Sequence, residues 1–360
     1  MPDELQRTPL YGRHAESGGR LVPFAGWEMP VQYAGVIDEV RAVRTAAGVF
    51  DVSHMGQVQV GGSGARAFLQ GVLSNDLDRL SPGQAQYTLL TNERGGIVDD
   101  LIAYRRESGY LLVVNAGNRS ADVAHLERHR PADATLVDDS DAHGMLALQG
   151  PSALALLAPL CEGVDPLSAA PFTFAEAGVA GIPCTVARTG YTGEPGVELI
   201  CPASELVALW DALVEAGAVP CGLGARDALR LEVCYPLHGN DIGEDTNAIE
   251  AGLGWVCAPD KPYVGSDAIA RTRAEGPARR LVALRMDEER AVPRPGCEIL
   301  AGETPVGSVT SGTFSPTLQR GIGLGYVPSA LAEPETPVAV DVRGRTRTAH
   351  TARKPLYVKD

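Results

Sequence analysis

Val36, Ile37, Val40, Val43 and Ala47 recur at helical spacing and stop at Gly48, which predicts an amphipathic helix with a glycine at its end. The period then shortens, and residues 49–55 read as a strand. A second helix is expected to carry Phe68, Leu69, Val72 and Leu73, capped by Ser63 and closed by Asn75 and Asp76. Residues 87–90 and 97–104 read as two strands joined by a turn at 93–96, and residues 110–115 as a third strand that ends in the turn 116–118. A helix with a polar face follows at 121–130. Residues 145–150 form a strand that runs into an apolar helix through Leu157, with Pro151 expected at the first helical position. Residues 185–188 and 197–201 pair around the tight turn 190–196, Ser204 is expected to cap a helix at 205–215 that Gly217 ends, and residues 222–232 start another helix.

The lead-in, residues 7–33, has no clear period; it reads as irregular, with a short hairpin around Gly18 and Gly19 and with Phe24, Trp27 and Tyr33 as packing residues. The charged run 271–280 breaks the pattern and reads as a linker. Beyond it, short strands at 280–286, 298–300, 306–311, 321–326 and 338–342, separated by glycine and proline turns, predict a small all-β domain.

At 360 residues, 44% hydrophobic and 21% charged, the chain is long enough for two or three domains with real cores. A formal charge of -14 argues against general affinity for nucleic acid or anionic membranes, since phosphate binding needs clustered Lys and Arg. No window approaches a membrane-spanning apolar run, and the start has no leader-like pattern, so a cytoplasmic protein is expected. The seven cysteines are odd in number and never spaced as C-x-x-C, which reads as reduced core cysteine. The seven histidines are equally scattered, and no metal site is expected. His54, beside Met55, reads as a satisfied structural residue.

Three places put charge where the pattern is apolar. Asp99 and Asp100 enter the strand that leaves Gly95 and Gly96, and successive side chains on a strand point to opposite faces. They cannot share one site; one of the two faces the packed side, where an ionised carboxylate is costly unless paired or used. Glu198 lies inside Val-Glu-Leu-Ile and needs an arginine or a ligand with paired N–H donors. Arg226 falls in the first turn of its helix, where a cation opposes the helix dipole unless an acid such as Glu198, or something carbonyl-rich, is near. The G-x-G at residues 222–224 lacks the strand and downstream acid of a dinucleotide site.

Several long motifs, in order, carry a resemblance: RTPLY (7–11), FAGWEMPVQY (24–33), FDVSHMG (50–56), TNERGGIVDDLIAY (91–104), LALQGP (146–151), RTGYTGEPGVE (188–198), GLGARDALRLE (222–232), LHGNDI (237–242) and GSVTSGTFSP (307–316). From residue 7 to about residue 357 the chain resembles the aminomethyltransferase family, the T proteins of the glycine cleavage system. The resemblance implies an α+β fold, a three-domain cloverleaf with a C-terminal β-barrel. Its folate-binding region would span 1–272, with lobes of roughly 1–50 plus 140–272 and of 51–139, and its barrel 280–360. It implies transfer of the aminomethyl carbon from the dihydrolipoyl arm of H protein to tetrahydrofolate, with release of ammonia and no metal. The P and L proteins of the same system would be functional partners. The family's catalytic acid falls on Asp100, leaving Asp99 to structure. The folate contacts fall on Glu198 and Arg226, with Met55, Tyr87, Tyr191 and Trp255 as walls and Asn115 as a further contact.

Two other readings share the scaffold: a folate-dependent demethylase acting on a small methylated substrate, and a non-catalytic folate-binding factor of iron-sulfur assembly. The second is marked by K-G-C-x-x-G-Q-E, which is absent; Cys234 and Tyr235 lie in EVCYPLHGND instead. The chain stops soon after Tyr357, which leaves open any folate contact that longer relatives place further on. An acidic H protein would need a local basic patch, for which Arg271, Arg273, Arg279 and Arg280 are the candidates.

Overall fold

The computed structural model describes residues 5–359 and divides into two compact units. Unit 1 runs through Leu69, then takes Leu77–Tyr87 and Leu101–Arg226; unit 2 takes Gln70–Asp76, Thr88–Asp100 and the chain from Asp227 onward.

Unit 1 is built on a seven-stranded sheet in the order Cys161–Glu162, Phe174–Val179, Ile182–Ala187, Gly196–Pro202, His143–Gln149, Gly48–Asp51 and Val219–Pro220. Every pairing is antiparallel except the last. The helix Leu206–Glu215 lays Leu209, Trp210 and Leu213 on Leu146, Leu148, Val197 and Leu199 of this sheet, forming its main core. A five-stranded sheet follows the order Gln84–Thr91, Ile97–Arg105, Tyr110–Val114, Gly56–Gly61 and Thr135–Asp138, and its first two strands carry the chain between the units.

Unit 2 holds a closed barrel of Arg279–Met286, Arg320–Pro328, Thr304–Ser315, Glu298–Ala301, Pro337–Asp341 and Thr346–Ala352. The last strand pairs with the first, so no edge is left open. This strand, TRTAHTA, is not among those the sequence pattern predicts. Ala349 and Thr351 are the residues it buries, too small or polar to register as an apolar stripe.

Several expectations are corrected. Gly18 and Gly19 follow a short helix, Tyr11–Glu16, and the hairpin turns at Ala25 and Gly26 instead, whose φ values of 49° and 83° meet the primed-turn requirement of tight hairpins. Pro151 is not the first helical residue. Gly150, at φ 137°, approaches Ala46 so closely that a Cβ would lie 2.3 Å from its carbonyl oxygen, and a turn must follow before the helix starts at Ala153. Ser63 and Ser204 do not cap: the first helix begins at Ala65 after a turn, and a 3-10 turn, Ala203–Glu205, precedes the second. The first half of the expected linker, 271–275, is the end of the helix Ser266–Glu275, whose one buried residue, Ile269, gives almost no apolar period, and its last two residues open the first barrel strand.

Candidate active site

The acid-bearing strand is fixed at its start. Asn92 Oδ1 accepts from the backbone N–H groups of Arg94 (3.1 Å) and Gly96 (3.0 Å), shaping the turn, and Gly95 takes a φ of 78°. Gly96 is pressed against Glu244, where a Cβ would meet the carbonyl oxygen at 1.8 Å. The LHGNDI motif then takes both backbone groups of Ile97: its N–H donates to Gly243 O (3.0 Å), and His238 Nε2 donates to its carbonyl (3.2 Å). That motif is itself held by Asp241, which pairs with buried Arg230 at 2.7 Å and accepts from Ser311, Thr310 and the Leu237 N–H. From so fixed a start, strand alternation separates the acids. Asp99 is fully buried and Asp100 half-buried on the opposite face. Val98, Ile102 and Tyr104 share the face of Asp100, with Tyr104 about 13 Å further along at 3.3 Å per residue.

In unit 1 the turn 190–196 is tied across its base. The buried Gln149 amide donates to Thr189 O and Val197 O, both at 3.2 Å, and its oxygen accepts from Thr192 (3.0 Å). Arg44 donates to Thr192 O (2.8 Å) and forms a buried ion pair with Glu194 at 3.0 Å. This bracing presents Tyr191 and leads into Glu198, which is 7% exposed and accepts a 2.5 Å hydrogen bond from Thr189. The Arg226 guanidinium stacks over the Tyr191 ring, 4.8 Å from its centroid.

Glu198 and Arg226 attract each other without forming an ion pair among the described residues, so the simple acid partner for Arg226 is not what the fold provides. Arg226 Nη1 is sealed from solvent and has no hydrogen-bond partner. Burial pushes the Glu198 carboxyl up, while Thr189 and Arg226 pull it back; burial likewise pulls the Arg226 guanidinium down. An unsatisfied buried donor beside a buried acceptor is costly unless something occupies both.

Unit 1 also has an open cleft of about 1050 Å³ whose lining includes Trp27, Ser53, His54, Met55, Ala116 and Gly117. Two of its lining residues, Thr8 and Ser53, join a buried relay. Tyr33 donates to His14 Nδ1 (2.8 Å), His14 Nε2 donates to Asp51 (2.9 Å), and Thr8 and the Ser53 N–H also donate to Asp51. His54 is not the satisfied residue its sequence context suggests. It is 4% exposed, Nδ1 has no partner, and burial together with Arg226 pushes its pKa down to about 4, against an opposing pull from Asp51.

Of the residues singled out from sequence, unit 1 gathers Glu198, Arg226 and Tyr191. Met55 lines the cleft, half-buried Asn115 immediately precedes its Ala116 and Gly117, and Tyr87 is half-buried on its strand. Asp100 and Trp255 belong to unit 2. Trp255 is 70% exposed on the 3-10 turn Gly254–Val256, which Arg273 braces by donating to Gly254 O and Cys257 O. Thr189, Tyr104, Gln149 and Arg44 escaped sequence reasoning because they have partners remote in the chain, and His54 because its Nδ1 has none. Among the described residues no cluster of His, Cys, Asp and Glu could hold a metal ion.

Residues 10–261 match the family model described as the GCVT N-terminal domain, and residues 279–357 match the glycine cleavage T-protein C-terminal barrel domain. The chain is 46% identical to an aminomethyltransferase of Geobacillus kaustophilus over 98% of this chain and 99% of that one. It is 47% identical to an aminomethyltransferase of Symbiobacterium thermophilum over 99% and 98%. The crystal structure of glycine cleavage system aminomethyltransferase T from Bartonella henselae superposes with a TM-score of 0.92, at 36% identity and 98% coverage of both chains.

Proposed function

The chain belongs to the glycine cleavage T-protein family, and from that premise we infer that it is the system's aminomethyltransferase, a tetrahydrofolate-dependent one-carbon transferase. It moves the methylene carbon of the aminomethyl group, carried on the lipoyl arm of H protein, to tetrahydrofolate and releases ammonia. P and L proteins complete the system around it.

The observation that carries the site assignment is the buried, unpartnered Arg226 Nη1 beside the buried Glu198 carboxylate. A reduced pterin presents adjacent N–H donors next to a carbonyl oxygen on one edge. Glu198 accepts from the donors, and Arg226 donates to the carbonyl. The order matters: a 4-amino pteridine would turn a donor toward the guanidinium and lose that match. Tyr191, Tyr87, Met55 and Trp255 offer apolar and aromatic surface to the rest of the ligand, and Asn115 an amide. These residues suit the group they are assigned.

Bound folate supplies two nitrogens that together take up the carbon. Asp100 orients N10 through its N–H and stabilises the positive charge that develops as ammonia departs, or takes the proton as a base. The two protons lost from the folate nitrogens leave with the products, one on the freed thiol of the arm and one on ammonium. Asp99, buried on the other face of the strand, keeps a structural role.

The test is methylenetetrahydrofolate formation from aminomethyl-loaded H protein. Asp100→Asn is expected to lose at least 100-fold in turnover, within the range of general acid-base effects. Asp99→Asn should keep near-native kcat per folded molecule. Equal loss in both variants would remove Asp100 from its role, and a wild type that binds folate but is inert with H protein would remove the reaction.

A further inference from the structure

Glu198 ends a directed chain of hydroxyls. Thr189 Oγ1 lies 2.5 Å from Glu198 Oε2, and Tyr104 Oη lies 3.3 Å from Thr189 Oγ1. All three residues are buried, Tyr104 completely. A threonine hydroxyl has one proton. With that proton on the Glu198 bond, Tyr104 must donate to Thr189, and the chain runs Tyr104 to Thr189 to Glu198 with each oxygen served.

The opposite direction is poor. A proton on Glu198 Oε2 would turn Thr189 to donate to Tyr104, leaving the phenolic hydrogen without that acceptor beside the Phe174 ring, 5.4 Å away centroid to centroid, so any proton on Glu198 is confined to Oε1. A buried hydroxyl without an acceptor is costly. The network therefore has a preferred direction, and that direction exists only while Glu198 Oε2 is an acceptor.

We propose that Thr189, oriented by Tyr104, is a positioning residue that fixes Glu198 Oε2 as a hydrogen-bond acceptor and favours the ionised carboxylate, and so favours ligands that present N–H donors to it. This rests on the folate reading of the site. The charged and titratable groups facing Glu198 are Arg226 of the helix Leu223–Glu232, which favours its ionised form, and Tyr104 of the strand Ile97–Arg105, while burial opposes ionisation. Thr189 supplies the direct hydrogen bond that helps offset that burial.

The experiment is tetrahydrofolate binding to the full chain under anaerobic conditions, followed from pH 5 to 8 in wild type, Thr189→Val, Thr189→Ser, Tyr104→Phe and Glu198→Gln, with thermal melting in parallel. Binding needs the Glu198 carboxylate ionised, so it is lost as pH falls through the carboxyl's pKa. Removing the donor raises that pKa, and binding is then lost at higher pH. Thr189→Val is expected to bind roughly ten-fold more weakly at neutral pH, the loss of one charge-assisted hydrogen bond, and to show an acid limb displaced upward. Tyr104→Phe should displace the limb the same way by less, and Thr189→Ser should restore it. A Thr189→Val limb that coincides with wild type, whether or not the melting temperature falls, overturns the proposal. If Glu198→Gln binds tetrahydrofolate as wild type does, the folate reading falls and takes the proposal with it.

Discussion

At the scale of single residues, the informative ones are polar groups kept from water with part of their bonding capacity unused. His54 is the clearest after Arg226. Its pKa of about 4 lies below the value near 6.5 of an unfolded histidine, so the unfolded chain binds more protons between those values. The stability due to a neutral buried His54 is fully present above about pH 6.5 and lost as pH falls toward 4, by up to about 3 kcal/mol. Chemical denaturation across that window should show the loss in wild type and a flatter profile in His54→Asn; parallel profiles would mean that His54 does not titrate on unfolding. Asp51 follows the same sign at lower pH. Although buried, it is held below its ordinary value by His14, Ser53 and Thr8, and its contribution disappears only when acid protonates it. The unlike fates of Asp99 and Asp100 were legible from strand alternation alone, whereas the unsatisfied state of His54 was not, because a lone histidine has the same local sequence whether or not its ring finds a partner.

At the scale of elements, the turn before Asp100 concentrates constraint in two glycines with different reasons for being glycine. Gly95 needs its positive φ, while Gly96 needs the absence of a side chain, since Glu244 O occupies the place of a Cβ. Gly96→Ala is expected to lower stability by roughly 2 kcal/mol, in the range of overpacking a tight site, and to reduce turnover because Asp100 follows four residues later. Urea unfolding together with kcat would check it, and a fully active, fully stable variant would show that the turn does not position the acid. Elements with a strong apolar period, such as the helix Val36–Thr45 and the strands Ile97–Arg105 and Gly196–Pro202, could be read from sequence. Those whose boundaries are set by contact with distant backbone could not. The start of the helix at Ala153 depends on Gly150 meeting Ala46, and the helix Ser266–Glu275 buries too little to announce itself. Glu198 stood out because it interrupts an apolar strand, but the Gln149 amide that ties down its neighbouring turn looked like an ordinary strand end.

At the scale of the whole molecule, a net charge of -14 means that the proposed docking of H protein, if that carrier is acidic, depends on a local basic patch. Of the four arginines in the candidate patch, Arg273 braces the turn that displays Trp255, and Arg279 pairs with Glu250 at 3.4 Å and lies over Tyr326. Arg271 and Arg280 are exposed and are the better probes. Reversing both to Glu should raise KM for H protein several-fold, more so at low salt, and leave kcat unchanged. An unaltered KM at low ionic strength would place the carrier elsewhere.

The way the barrel closes has a consequence for how the protein is made. Asp100 leaves the ribosome early, yet the groups that secure its strand, the His238 imidazole and the Gly243 carbonyl, and the barrel strand Thr304–Ser315, whose Thr310 and Ser311 anchor Asp241, come much later. The barrel itself has no closed form until the strand Thr346–Ala352 has emerged, about 250 residues after Asp100. At about 5–20 residues per second that is an interval on the order of tens of seconds, during which the nascent chain already carries the acid but not the scaffold that aims it. On the proposed role of Asp100, termination before residue 238 leaves a polypeptide that carries the acid without the contacts at Ile97 that hold its strand, so the yield of active protein depends on completing the chain.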